Sequence, residues 1–176
     1  MKRVYPREEY CVACHLCEVA CILEHSKSKN IFVAFSEKPK VNSKIEVQMR
    51  GPLSFSANCR MCEHAECVEA CPVGAMWRYD DTGLVKVDQE RCIGCWMCIM
   101  ACPQGSITTR VDKELGLRVS DKCDLCEGRA EGPACVQACP NDALVFEDRD
   151  EKLPKETPLR GSYHEYVAGE DLNLID

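Results

Sequence analysis

The chain has 176 residues, a net charge of −7 and 16 cysteines, about one residue in eleven. A cysteine share that high marks a cysteine framework; without the cysteines the 45% hydrophobic fraction falls to about 36%, with only 11 aromatic residues, so side-chain burial alone is a thin basis for the fold. The acidic balance excludes a general nucleic-acid binder, which needs a basic surface to neutralise phosphates.

The chain opens on Met1-Lys2-Arg3-Val4-Tyr5-Pro6, which has charge but no apolar core, so it reads as neither a secretory nor a twin-arginine signal. The first cysteine clump follows, Cys11-x2-Cys14-x2-Cys17-x3-Cys21. Residues 24–57 form an inserted β segment, with strand-like runs at 31–35, 44–49 and 53–57. The second clump is Cys59-x2-Cys62-x4-Cys67-x3-Cys71-Pro72. Runs at 76–79 and 84–88 flank Asp80-Asp81-Thr82-Gly83, a hairpin signal. The third clump is Cys92-x2-Cys95-x2-Cys98-x3-Cys102-Pro103, and a second hairpin pairs 107–112 with 117–120 across Lys113-Glu114-Leu115-Gly116. The fourth clump is Cys123-x2-Cys126-x8-Cys135-x3-Cys139-Pro140, followed by a lone strand at 143–147. Beyond about residue 148 the chain is polar, with Pro154 and Pro158, and reads as an irregular tail. The longest apolar-looking run, 92–102, is far below the roughly 18 residues of a membrane span. The expectation is an α+β protein of short helices and β-hairpins, soluble and cytoplasmic.

No cysteine is left over from the four clumps, and each clump ends in x3-Cys. An alanine precedes the last cysteine every time, which suits either a helix or a close approach to a bulky group. In a reducing cytosol, 16 thiols point to metal ligation rather than disulfides. The run C-x2-C-x2-C-x3-C-P is the ligand pattern of bacterial [4Fe–4S] ferredoxins, whose fourth cysteine serves the other cluster. A structural zinc takes two separated cysteine pairs. The second and fourth clumps can be read that way, but three thiolates within seven residues, as in the first and third, suit one tetrahedral ion poorly. The C-x3-C-x2-C spacing of a radical-SAM site is missing.

With 16 ligands in this order, the chain resembles the four-cluster iron–sulfur subunits of the dimethyl-sulfoxide-reductase and formate-dehydrogenase families, from Glu9 to about Phe146. It is more similar to the short members that accompany anaerobic carbon-monoxide dehydrogenases and tungsten aldehyde oxidoreductases. Tyr5 to Cys11, Glu24 to Lys29 and Gly94 to Cys98 carry that likeness. The resemblance implies four [4Fe–4S] clusters: Cys11, Cys14, Cys17 and Cys139 on the first, and Cys123, Cys126, Cys135 and Cys21 on the second. It places Cys59, Cys62, Cys67 and Cys102 on the third, and Cys92, Cys95, Cys98 and Cys71 on the fourth. Two ferredoxin-like dicluster modules follow, one from 1–23 with 111–150 and one from 58–110. The insertion 24–57 and the tail 151–176 lie outside them.

Nothing in the sequence performs bond-making chemistry, since neither G-x-x-x-x-G-K-[ST] nor G-x-G-x-x-G occurs. His15 and His64 sit inside clumps, where they either bond sulfide or cap a loop; Trp77 and Trp96 read as shielding core. The expected role is a non-catalytic electron-transfer subunit, a wire from a catalytic oxidoreductase subunit to a low-potential acceptor or donor. A further partner could be another electron-transfer or an NAD(P)H/ferredoxin-linked subunit, and copies could stack; no nucleic acid or direct membrane span is expected. The alternatives are a free polyferredoxin shuttle or a zinc-binding adaptor. Residues 27–50 carry six bases against two acids, and 142–176 ten acids against four bases. These are either solvated faces or docking surfaces.

Overall fold

The computed structural model describes residues 1–112 and 116–148. Within them, eight short strands form four separate two-stranded antiparallel sheets, and four of the five short helices carry cysteines, the rest lying in the loops beside them. The fold is a small mixed helix–strand arrangement, as the sequence indicates; the tail 151–176 and the turn residues 113–115 lie outside the described residues.

Strand β1 (Lys2–Pro6) pairs with β8 (Leu144–Asp148), Val4 opposite Phe146 and Pro6 opposite Leu144. The strand expected to stand alone at 143–147 instead has a partner in the N-terminal segment, for which the sequence indicated no strand. The reason is burial: Arg3, Val4 and Tyr5 are all inside, so the strand is covered on both faces and shows no polar–apolar alternation. A 3-10 turn at Glu8–Tyr10 leads into the first clump.

Helix α1 (Leu16–His25) carries Cys17 and Cys21, and packs on α5 (Ala134–Gln137), which carries Cys135. Helix α3 (Glu66–Glu69) packs in the same way on α4 (Met97–Ala101). Strands β2 (Ile45–Arg50) and β3 (Leu53–Asn58) form the hairpin of the insertion. Its turn has Gly51 at φ +58°, a conformation that costs glycine nothing. Hairpins β4 (Met76–Arg78) with β5 (Val85–Val87), and β6 (Ile107–Val111) with β7 (Arg118–Lys122), stand where the turn signals put them.

One strand expectation fails. Residues 31–35 do not extend; Ile31–Ala34 is a helical turn, α2. Isoleucine and valine favour strands, but the Asn30 side chain accepts from the Phe32 N–H at 2.9 Å and caps a helix instead. The insertion is therefore a helical turn plus a hairpin.

Three small cores lie under these elements, and cysteines take part in each. Val4, Ile45, Val47 and Leu144 surround Cys17, Cys21 and Cys135. Met61 and Val85 pack with Cys59. Met76 and Ile107 pack with Cys98. The apolar interior is thus built around the thiols.

Candidate metal centres

All 16 cysteines are free thiols. They line four cavities, four to each. Cys11, Cys14, Cys17 and Cys139 line one of about 320 Å³, mouth included. Cys21, Cys123, Cys126 and Cys135 line one of about 340 Å³. Cys59, Cys62, Cys67 and Cys102 line one of about 360 Å³, and Cys71, Cys92, Cys95 and Cys98 one of about 300 Å³. Every quartet takes three cysteines from one clump and the fourth from another.

Backbone geometry repeats from clump to clump. The residue before the second cysteine is left-handed in all four: Ala13 (φ +52°), Met61 (+47°), Gly94 (+68°) and Leu125 (+56°). Such a residue turns successive N–H groups toward one side, forming a nest suited to an anionic group. His15 and Trp96, also left-handed, then start α1 and α4.

The Cys-Pro turns repeat as well. Three residues past the last cysteine the chain is left-handed again, at Gly74, Gly105 and Asp142. This returns the next residue to the sulfur: the N–H groups of Ala75 and Ala143 each donate to Sγ of Cys71 and Cys139 at 3.2 Å. At the same position Ser106 Oγ lies 3.6 Å from Cys102 Sγ. The first clump has Ile22 in place of the proline, so α1 runs on through Cys21. Residue i+4 is then His25, whose Nδ1 lies 3.8 Å from Cys21 Sγ, and the insertion supplies the missing donor, Lys44 N–H at 3.3 Å.

Hydroxyls reach the third cysteine of two clumps. Ser120 Oγ of β7 is 3.1 Å from Cys98 Sγ, and Ser56 Oγ of β3 is 3.8 Å from Cys17 Sγ. Both serines are buried. Neither stands out in the sequence, because each comes from a strand remote from its clump.

Burial pushes the Cys17 thiol up to about 11 despite the Ser56 hydroxyl, and the Cys67 and Cys135 thiols to about 11 and about 12. Cys123 is raised as well, again by burial. For Cys71, burial works upward but is outweighed by the surrounding backbone N–H groups, and its pKa falls. Thiolates at the raised sites need a bound cation, which deprotonates a coordinating thiol outright.

A charged group borders the Cys21 cavity. The His25 ring donates from Nδ1 to the Cys21 carbonyl at 2.8 Å and from Nε2 to Asp124 at 3.1 Å. Burial opposes its charge, but the hydrogen bonds to Asp124 and Cys21 raise its pKa to about 10. Asp124 also holds Lys44 Nζ at 3.2 Å, and is driven well below the usual carboxylate range despite burial. The histidines singled out in the sequence behave otherwise: His15 is exposed beside Glu18 at 3.2 Å, and His64 is exposed. Trp77 is half-buried, edge-on to Tyr79 with ring centroids 5.9 Å apart.

The spacing of the sulfurs decides what fits. Tetrahedral zinc at 2.3 Å from each sulfur holds its thiolates within about 3.8 Å of one another. Among the described residues, the one trio of candidate ligands with donor atoms all within 4.8 Å is His25, Asp124 and Cys126; no trio of cysteines is that close. Four thiols spread round each cavity suit a polynuclear group with its metals at separate corners, and the donor set is that of [4Fe–4S] clusters.

Sequence comparison agrees. The family model for a 4Fe-4S dicluster domain matches residues 52–149. The chain belongs to that iron–sulfur family. It is 40% identical over 151 residues to "Electron transport protein HydN" of Escherichia coli K12, covering 80% of this chain and 84% of that protein. It is 37% identical over 158 residues to "Iron-sulfur protein" of Rhodospirillum rubrum, covering 84% and 82%. It is 36% identical over 158 residues to "Thiosulfate reductase electron transfer subunit PhsB" of Salmonella typhi, covering 82% and 74%. A fourth relative, "Putative oxidoreductase AegA" of E. coli K12, is 36% identical over 144 residues, and the chain spans only 21% of its length.

Proposed function

We propose that the chain is a non-catalytic electron-transfer subunit that holds four [4Fe–4S] clusters, one in each cysteine-lined cavity. The observation that carries this is the partition of 16 free thiols into four quartets, spaced too widely for zinc. Bound clusters would supply one-electron redox centres whose potentials follow net charge, hydrogen bonds to sulfur and exposure. Cys11, Cys14, Cys17 and Cys139 would hold the first; Cys123, Cys126, Cys135 and Cys21 the second. Cys59, Cys62, Cys67 and Cys102 would hold the third, and Cys92, Cys95, Cys98 and Cys71 the fourth.

Packing supports a serial order for these proposed centres. Helix α1 carries Cys17 of the first quartet and Cys21 of the second. Cys123 of the second quartet packs against the apolar cluster that contains Cys59 of the third, which sets those two side by side. Helix α3 carries Cys67 of the third quartet and leads directly into Cys71 of the fourth. The two exposed cysteines, Cys14 and Cys95, belong to the end quartets, where an electron would enter and leave. The division into modules 1–23 with 111–150 and 58–110 follows the same pairing, α1 on α5 and α3 on α4.

The partner we propose is a catalytic oxidoreductase subunit of the carbon-monoxide dehydrogenase, tungsten aldehyde oxidoreductase or formate dehydrogenase type. In support, the relative PhsB is named as an electron transfer subunit. Four thiolate clusters in an acidic chain favour low potentials, suited to such donors. A cytoplasmic location fits this reading; no described helix is long and apolar enough to cross a membrane. The test is iron, acid-labile sulfide and zinc per chain after anaerobic purification, with EPR of the dithionite-reduced protein. About 16 iron and 16 sulfide with coupled cubane signals are expected; two to four zinc without sulfide would overturn the proposal. A stoichiometric large partner on purification would separate a subunit from a free shuttle.

A further inference from the structure

Lys122, the last residue of β7, is 3% exposed. Its Nζ donates to the Val85 carbonyl at 2.6 Å, the Cys123 carbonyl at 3.2 Å and Met61 Sδ at 3.5 Å. Three acceptors match the three N–H donors of an ammonium, whereas a neutral amine offers two. Among the described residues, no carboxylate forms an ion pair with it. A buried ammonium with no counter-ion is expensive, and such charges persist where something of opposite sign faces them.

The cavity it lines is that of Cys59, Cys62, Cys67 and Cys102, and its charge pulls the Cys67 thiol downward. Arg3 acts likewise on Cys62. Arg60, set over the Tyr5 ring at 5.5 Å, and the exposed Glu66 also border this cavity. The other cavities differ. His25 and Lys44 at the Cys21 cavity are balanced by Asp124 and Asp121. His15 at the Cys11 cavity sits beside Glu18, and no charged side chain lines the Cys71 cavity. Among the described residues, Lys122 is therefore a buried cation at a cysteine-lined cavity with no carboxylate ion pair of its own.

We propose that the Lys122 ammonium is a fixed counter-charge that makes the centre held by Cys59, Cys62, Cys67 and Cys102 the most readily reduced of the four. The proposal rests on the cluster assignment above. A [4Fe–4S]²⁺ core with four thiolates carries −2 and becomes −3 when it accepts one electron. A neighbouring positive charge favours the second state over the first. The electron then rests in the interior of the series, shielded from solvent, rather than at either exposed end.

The test is a potentiometric EPR titration, with dithionite as reductant, of the full chain and three variants, each first assayed for iron and sulfide. Lys122→Gln keeps N–H donors for Val85 and Cys123 without the charge; Lys122→Met removes both; Lys122→Arg keeps the charge. A unit charge at this range in a protein interior changes a one-electron equilibrium about tenfold or more. The highest midpoint is expected to fall in the Gln and Met variants by at least that factor, about 59 mV. The other centres should move less, and the Arg variant should stay near the parent. An unchanged highest midpoint in the neutral variants, or an equal fall in the Arg variant, would refute the role of the charge. Iron missing from the parent chain would instead refute the cluster assignment.

Discussion

Gly94→Ala should destabilise the protein through one contact. Gly94 sits between Cys92 and Cys95 with φ +68°, and a Cβ built on it would lie 2.6 Å from the Arg118 carbonyl oxygen at the start of β7. The left-handed conformation costs an alanine about 1–2 kcal/mol. That part is bearable, since Ala13 holds the equivalent place in the first clump at φ +52°. The contact is the larger concern: backbone atoms must separate, and forced overpacking of this kind costs about 1–3 kcal/mol. Gly51→Ala is the matched control, with φ +58° and nothing within 4 Å of the new Cβ. The two substitutions share the conformational cost and differ in the contact. A chain of this size loses roughly 2–4 °C per kcal/mol, so Gly94→Ala should melt about 2–12 °C below Gly51→Ala. The assay is a melt followed by far-ultraviolet circular dichroism at one scan rate, on anaerobically purified protein. Displacing β7 also moves Ser120 away from Cys98, so iron content should fall in Gly94→Ala alone. Equal melting temperatures for the two variants would refute the close approach of β7 to the third clump.

Other substitutions probe other contacts. Ser120→Ala removes the hydroxyl 3.1 Å from Cys98 Sγ and should lower one cluster midpoint by roughly 40 mV, the worth of one hydrogen bond. Ser56→Ala, at 3.8 Å from Cys17, should shift a different centre by less, and potentiometric titration reads both. Asp124→Asn removes the partner of His25 and Lys44 and should cost about 1–3 kcal/mol in urea unfolding, while Lys44 retains Asp121 at 3.6 Å. Cys139→Ala should abolish the same EPR signal as Cys11→Ala and leave that of Cys123→Ala in place; loss of the Cys123 signal would refute the pairing. Phe32, 88% exposed on α2, contributes little to the fold. Phe32→Ser should leave the melting temperature unchanged, as read by the same circular-dichroism melt.

The clumps and the two central hairpins were legible because their signals are local. Cysteine spacing and a turn residue such as Gly83 act within a few positions. The rest was set by distant partners. Residues 2–6 do not announce a strand, because β1 is buried on both faces and its paired strand among the described residues is β8, more than 130 positions away. Ile31 and Val33 suggested a strand by composition, and a single capping amide at Asn30 turned them helical. Ser56, Ser120, Lys44 and Lys122 were invisible as site residues for a related reason. Each reaches its cysteines from a strand or loop of another region, and nothing in its own neighbourhood distinguishes it from surface serine or lysine. His25 had a readable trace: without a proline after Cys21, α1 continues, and a histidine four positions on faces back to the same sulfur.

The closing of β1 against β8 sets a timetable for biogenesis. During synthesis the N-terminal residues leave the ribosome first, yet β1 has nothing to pair with until residues 144–148 follow. The two inner-segment cavities have all their cysteines once residue 102 has emerged, whereas the Cys11 cavity waits for Cys139 and the Cys21 cavity for Cys135. The first clump must therefore stay reduced and uncommitted while most of the polypeptide is made. The middle of the chain then holds two complete cysteine quartets that still await Ser120 and Lys122 of β7, and the beginning holds incomplete ones.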